Sequence, residues 1–351
     1  ERIGMINVGV VGCGKIAQVR HLPEYNANPL ANIAGIYDLD KSRAEENAKK
    51  YHTKVYPTYD AMLKDSMIDA VSICTANVSH CEMSVKAMEA GKHVLCEKPM
   101  AVTYEECKLM EETARITKRF LMIGYNQRLT KTHVEARKLI EDGEIGKILT
   151  FKSSFGHAGP ENWAVDKKDV WFFDRKTAAI GAMADLGIHK TDLIQFLAGK
   201  KVKNVSSLLS TLDKFDQDGN PIAVDDNAVC IYELEGGALG TMSASWTYYG
   251  DEDNSTILYG TDGCLKIYCD PRYSIIVEKK NGQKVLYDID KMQTNHIQNN
   301  SGVIDSWINS LVNNREPEIS GKEALNSMKV VFAAIESSKS GCKVCVDDFG
   351  N

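Results

Sequence analysis

Two short stretches of this chain carry side chains suited to moving a proton off an alcohol. In Asp185-Leu186-Gly187-Ile188-His189 an acid and an imidazole stand one helical turn apart, on one helix face. Histidine is the side chain best poised to take a hydroxyl proton near neutral pH, and the carboxylate orients the ring or binds a neighbouring hydroxyl. Lys98, in Cys96-Glu97-Lys98-Pro99, follows an apolar run, and Pro99 restricts the backbone there. A fixed ammonium anchors a substrate hydroxyl and stabilises alkoxide character as the proton leaves. Each stretch also has a plainer use: the Asp/His pair as a surface ion pair or a core histidine, Lys98 as a solvated charge. Gly181, Ala182, Ala184 and Gly187 favour the chemical use, because small residues let a helix face approach a ligand closely.

Oxidising an alcohol also needs a hydride acceptor, and the start of the chain offers a place for one. The apolar run from Asn7 to Val11 breaks into Gly12-x-Gly14-x-x-Ala17, with Lys15 and Ile16 opening a helical pattern. A strand, a glycine turn and a helix N-terminus can hold a phosphate on exposed N–H groups. A second apolar run, Ala31 to Tyr37, ends at Asp38, about twenty residues on, where a carboxylate accepts both ribose hydroxyls of an adenosine. Its charge would repel a ribose phosphate, which favours NAD over NADP; Arg43 nearby weakens that preference. The alternative use of Asp38, or of Asp40, is to cap the next helix. A P-loop is excluded, because Ile16 follows Gly14-Lys15 where Ser or Thr is required.

Strand and helix patterns alternate up to about residue 126, which predicts an α/β domain over 5–126 built on a doubly wound parallel sheet. Ligands on such sheets lie beyond the carboxyl ends of the strands. Gly12, Asp38, Thr75-Ala76-Asn77, Glu97-Lys98-Pro99 and Tyr125-Asn126 should therefore border one crevice. Residues 127–351 read as an α+β domain with a large, mainly antiparallel open sheet. Its strands are punctuated by Asp218-Gly219-Asn220-Pro221, Gly236-Gly237 and Asn281-Gly282, and two helices close the chain. The free face of that sheet predicts pairing with another copy, as a dimer or tetramer. Between the two patterns, residues 156–176 gather His157, Trp163, Trp171, Phe172, Phe173 and Arg175 with Lys167 and Lys168. Such a segment suits stacking on a sugar ring or a flat aglycone, or a lid, or a packed loop.

Composition narrows the partners. With 351 residues, two domains are the expectation, and a net charge of -6 gives no electrostatic reason to expect nucleic acid or an anionic membrane. No apolar run approaches the roughly 20 residues of a membrane span, and no leader pattern opens the sequence, so a cytoplasmic place is expected, with Met5 as the natural start. The ten cysteines read as reduced thiols rather than a disulfide framework. Cys342-x-x-Cys345 lacks the second ligand pair that zinc requires, so no metal is expected.

The whole pattern resembles the Gfo/Idh/MocA oxidoreductases. It does so through the glycine turn, Asp38, Thr75-x-Asn77-x-x-His80, Glu97-Lys98-Pro99, Gly124-Tyr125-Asn126-Gln127-Arg128 and Asp185-x-Gly187-x-His189-x-x-Asp192. The resemblance implies a Rossmann domain with Gly12, Gly14, Lys15, Ile16, Asp38, Arg43, Thr75, Asn77, His80, Glu97, Lys98 and Asn126 around NAD. It implies a catalytic set of Lys98 as substrate anchor, Asp185 as orienting acid and His189 as base. Tyr125, Arg128, His157, Trp163, Trp171 and Arg175 would join Asp185 and His189 around a sugar, cyclitol or glycoside. The expected reaction is reversible oxidation of a secondary ring hydroxyl to a ketone, the 3-hydroxyl of a glucoside or an inositol hydroxyl among them. Relatives that cleave glycosides with NAD, or that sense NAD and sugar without turnover, are the alternatives. Two departures stand out: Ala76 where many members have proline, and a glycine-rich lead reduced to Ile180-Gly181-Ala182.

Overall fold

The opening apolar run forms β1 (Ile6–Val11), with Val8, Val10 and Val11 wholly buried. A strand apolar on both faces needs a layer on each side. The computed structural model describes residues 4–162, 171–174, 176–292 and 300–350. These divide into two units: residues 4–125 with 300–325, and residues 126–162, 171–174, 176–292 and 326–350.

In the first unit, β1 joins β2 (Ala31–Tyr37), β3 (Ala70–Ile73), β4 (His93–Cys96) and β5 (Leu121–Ile123) in a parallel sheet of order β2-β1-β3-β4-β5. The connections carry α1 (Leu22–Ala27), α2 (Lys41–Lys50), α3 (Tyr59–Lys64), α4 (His80–Glu89) and α5 (Tyr104–Thr117). With β2 on one side of β1 and β3 on the other, the glycine turn leaves the sheet where the strand order reverses. That switch point is where doubly wound sheets take their ligands.

The second unit opens with α6 (Lys131–Glu141) and includes α7 (Ile188–Ala198), which is buried almost all round. Its strands are β6 (Ile148–Gly156), β7 (Val202–Ser210), β8 (Asn227–Leu234), β9 (Leu239–Ser245), β10 (Thr256–Gly260), β11 (Gly263–Ile267), β12 (Ile275–Lys279), β13 (Lys284–Tyr287) and β14 (Val344–Cys345). They form one sheet of order β13-β12-β11-β10-β6-β9-β8-β7-β14. All pairings are antiparallel except β6 with β9, which run parallel from Thr150↔Leu239 to Gly156↔Ser245. A parallel pair needs a long crossover, and the connection through α7 provides it. Along β8, Ala228, Cys230, Tyr232 and Leu234 are buried while Val229 and Ile231 are exposed, the period-two pattern of a sheet with one covered face.

Two helices close the chain. α8 (Val303–Val312) belongs to the first unit, where Ser301 just before it donates its amide to Glu24 at 2.8 Å. α9 (Gly321–Ser340) starts in the first unit and ends in the second. All ten cysteines are free thiols. No helix among the described residues is long and apolar enough to cross a membrane.

Candidate functional site

In the first unit, Gly12 has φ of 83° and donates its amide to the Tyr37 carbonyl at 2.8 Å. A Cβ there would stand 2.8 Å from the Cys74 carbonyl oxygen, so both the backbone angle and the close approach require glycine. Gly14 differs: a Cβ would meet nothing within 4 Å, and open space lies over the start of the helix. Asp38 closes on this turn, with Oδ2 accepting the Cys13 amide at 2.6 Å and Oδ1 the Asp40 amide at 2.8 Å. The cap of α2 is Asp40, which accepts the Arg43 amide at 3.2 Å and lies 3.7 Å from its guanidinium. Asp38 is thereby left at the strand tip, and a carboxylate that accepts two amides keeps lone pairs for hydroxyls. An open glycine shelf beside such a carboxylate fits a dinucleotide. Burial, with the Asp38 charge, pushes the Cys13 thiol up to about 12, so it stays protonated beside the shelf.

Beyond β3 and β4 the polar groups brace one another. Asn77 is buried in a 3-10 turn, Asn77–Ser79, and Ser79 donates its hydroxyl to Thr75 Oγ1 at 2.7 Å. The His80 ring reaches the Pro99 carbonyl at 2.7 Å and the Thr75 carbonyl at 3.1 Å, tying the loop after β3 to the turn that carries Lys98. Burial lowers the His80 pKa. The Lys98-Pro99 peptide is cis. Glu97 is buried, with Oε1 2.7 Å from His21 Nε2 and 3.6 Å from Arg20 Nη1. Burial alone would raise its pKa, but the His21 hydrogen bond and the charges of His21, Arg20 and Lys98 outweigh it and hold the carboxyl at about 2. A Cβ on Gly124 would come within 3.1 Å of Glu97 Oε2, so that glycine makes room for the carboxylate. Tyr125 is buried and donates its hydroxyl to the Ala324 carbonyl at 3.4 Å.

His21 and Arg20 are absent from the sequence expectation. They lie in a π-turn, Ala17–His21, inside a helix legible only by its apolar spacing, and nothing in the chain order signals a partner at Glu97.

In the second unit, Asp185 lies in another π-turn, Met183–Gly187, and His189 in the first turn of α7; both are more than nine-tenths buried. Asp185 Oδ2 accepts the Trp246 indole N–H at 3.0 Å, and the His189 ring lies 5.9 Å from that of Phe155. His157, also buried, accepts the Gly159 amide on Nδ1 at 3.0 Å. Asn126 opens the 3-10 turn Asn126–Leu129, and Arg128 forks onto Asp192 with bonds of 2.7 and 2.6 Å. Asp192 also accepts the Ser327 hydroxyl at 2.9 Å, so Arg128 anchors α7. Trp163 and Arg175, with Lys167 and Lys168, lie outside the described residues, as does the side chain of Trp171.

Of the four small residues, Gly181 and Gly187 sit hard against other parts of the second unit. A Cβ on Gly181 would stand 1.8 Å from the Asp225 carbonyl oxygen, and one on Gly187 would stand 2.8 Å from Met183 Sδ and 3.3 Å from Met242. At these two positions the small size admits neighbouring protein atoms. Asp225, absent from the sequence expectation, accepts the amides of Gly181 and Met183 at 3.0 and 2.8 Å. Burial nevertheless pushes its pKa up to about 6.

Residues 6–125 match the family described as Gfo/Idh/MocA, an oxidoreductase family with an NAD-binding Rossmann fold, and residues 133–266 match the C-terminal domain of the same family. Levoglucosan dehydrogenase of Pseudarthrobacter phenanthrenivorans is 28% identical over 289 residues, 74% of this chain and 73% of that protein. Inositol 2-dehydrogenase of Rhizobium meliloti is 27% identical over 95% of this chain and 96% of that protein. A structure of levoglucosan dehydrogenase in complex with NADH and levoglucosan shares the fold, with a TM-score of 0.86 at 24% identity over 97% of this chain and 98% of that one.

Proposed function

The chain belongs to the Gfo/Idh/MocA oxidoreductase family, and from that premise we propose that it is an NAD-dependent dehydrogenase of sugars, cyclitols or glycosides. It reversibly oxidises a secondary ring hydroxyl to a ketone. The observation that carries the reading is the pair Asp185 and His189 on one buried segment, with the carboxylate fixed by the Trp246 indole. His189 takes the hydroxyl proton, and Asp185 orients the ring or a neighbouring hydroxyl. Lys98, on a turn braced by His80 and Glu97, anchors the reacting oxygen and stabilises its developing negative charge. NAD, when bound, supplies the acceptor for the hydride.

Gly12, Gly14, Asp38, Thr75 and Asn77 are assigned to the cofactor. A free inositol and a glucoside oxidised at its 3-hydroxyl are the two substrates the reading favours. The enzyme works in the cytoplasm as a homo-oligomer joined through the second unit's sheet. Exposed Leu208 and Val229, which face each other across β7 and β8, together with Ile231, support that pairing.

Absorbance of NADH across a panel of inositols, free sugars and aryl glycosides tests the reading, with NADP run in parallel. Reduction of NAD by at least one of them is expected. No reduction by any, with sugar binding retained, would make the protein a sensor.

A further inference from the structure

Asp225 holds the start of the segment bearing Asp185 and His189 at three points. Its Oδ1 accepts the Gly181 amide at 3.0 Å, its Oδ2 the Met183 amide at 2.8 Å, and its main-chain oxygen the Ala182 amide at 2.8 Å. The first amides of a helical segment have no partner within it, and Ala182 has no side chain to cap them. One residue, distant in sequence, takes all three.

The hold is tight, because a Cβ on Gly181 would overlap the Asp225 carbonyl oxygen at 1.8 Å. It is also rigidly backed. The Val224 carbonyl accepts the Thr211 hydroxyl at 2.6 Å, and the Asp226 carboxylate accepts the amides of Leu212, Asp213 and Lys214 at 2.8 to 2.9 Å.

Two routes lead from this hub to Asp185. Along the backbone, the Gly181 carbonyl accepts the Asp185 amide at 3.0 Å. By way of Trp246, the main-chain Asp226 carbonyl accepts the Trp246 amide at 2.8 Å, and the Trp246 indole side chain donates to Asp185 Oδ2 at 3.0 Å. The π-turn between Asp225's contacts and α7 leads directly to His189.

We propose that Asp225 is a positioning residue: its clamp on Gly181, Ala182 and Met183 sets where the Asp185 carboxylate and the His189 ring stand. The inference rests on the dehydrogenase reading for its consequence in turnover, but the clamp itself can be read without turnover. Asp225→Ala removes both carboxylate acceptors, whereas Asp225→Asn keeps one acceptor oxygen and sets an N–H₂ against the other amide.

Hydrogen exchange by mass spectrometry on the full chain, alongside NADH formation from myo-inositol and from an aryl glucoside, provides the test. In Asp225→Ala, peptides spanning 181–189 should exchange roughly tenfold faster or more while those of β1 to β5 stay unchanged. Turnover should fall by roughly tenfold to a hundredfold, with KM for NAD held within about twofold and Asp225→Asn intermediate. Unchanged exchange at 181–189 overturns the proposal. So does faster exchange throughout the chain, or faster local exchange with turnover intact. If the wild-type chain reduces NAD with neither probe, the dehydrogenase reading fails for these substrates, and faster exchange confined to 181–189 still upholds the clamp.

Discussion

His21 Nε2 lies 2.7 Å from Glu97 Oε1, so the helix that follows the glycine turn grips the residue immediately before Lys98. A buried carboxylate is costly unless paired, and here His21 and Arg20 supply the pairing while Gly124 leaves the space. The lysine assigned to the substrate is therefore carried on a turn fixed from beneath by the cofactor-side helix.

Glu97→Gln breaks that arrangement and is expected to destabilise the chain by roughly 3–5 kcal/mol, the usual cost of removing one partner from a buried pair. The pH dependence follows from the carboxyl held at about 2, against 4.5 as its ordinary value. The folded pKa is depressed, so the contribution is fully present above about pH 4.5 and is lost as pH falls toward 2. Urea unfolding between pH 6 and 3 should show a steeper acid decline for the wild type than for Glu97→Gln. Parallel declines would refute the pairing.

Asp38→Ala should act on the cofactor and leave the chemistry alone. It removes the acceptor proposed for the ribose hydroxyls and the brace on the Cys13 amide. KM for NAD is expected to rise on the order of tenfold or more, with the ratio of NADP to NAD use rising as the negative charge disappears. Steady-state kinetics with both cofactors measures this, and an unchanged ratio would remove Asp38 from cofactor choice.

Much of the first unit was legible because parallel strands buried on both faces read as apolar runs, and their connecting helices declare themselves by spacing and caps. Asp38 illustrates the limit: its position at a strand tip was readable, but only the structure assigns the α2 cap to Asp40. Lys98, Asp185 and His189 stood out because their residue types suit one reaction. What holds them did not. His21, Asp225 and Trp246 reach their partners across long stretches of chain, and nothing local in the sequence marks such a pairing. Gly181 and Gly187 show the same limit: a small residue signals that something comes close, and only the structure identifies the Asp225 backbone and the Met183 side chain as those neighbours. Likewise α8 is legible as one of the two closing helices, and its sequence does not say which sheet it covers.

His189→Ala tests the proposed base. Turnover should drop on the order of 10² or more, consistent with loss of general base catalysis, while NAD binding measured by calorimetry is kept. Lys98→Ala should lower turnover comparably. A His189→Ala protein that keeps more than about a tenth of wild-type turnover would leave the base unassigned.

Lys190 follows His189 in sequence but takes no part in the proposed chemistry. It is wholly buried, its ammonium reaching only the Asn254 carbonyl at 3.0 Å and Thr256 Oγ1 at 3.1 Å among the described residues. Burial depresses its pKa from 10.5 to about 7, against the opposing charge of Asp253. Nearby His133, buried and facing the same lysine, is held down to about 3 and stays neutral. Between pH 7 and 10.5 the unfolded lysine holds a proton that the folded one has released. Stability therefore rises with pH across that window, and below it the cost of the buried charge is fully present. Lys190→Met removes the titration, so the wild type should gain on the variant by on the order of 1 kcal/mol per pH unit through the window. Urea midpoints for the two proteins at pH 6.5, 8 and 9.5 measure this. A constant difference between them would mean that Lys190 keeps its charge while folded.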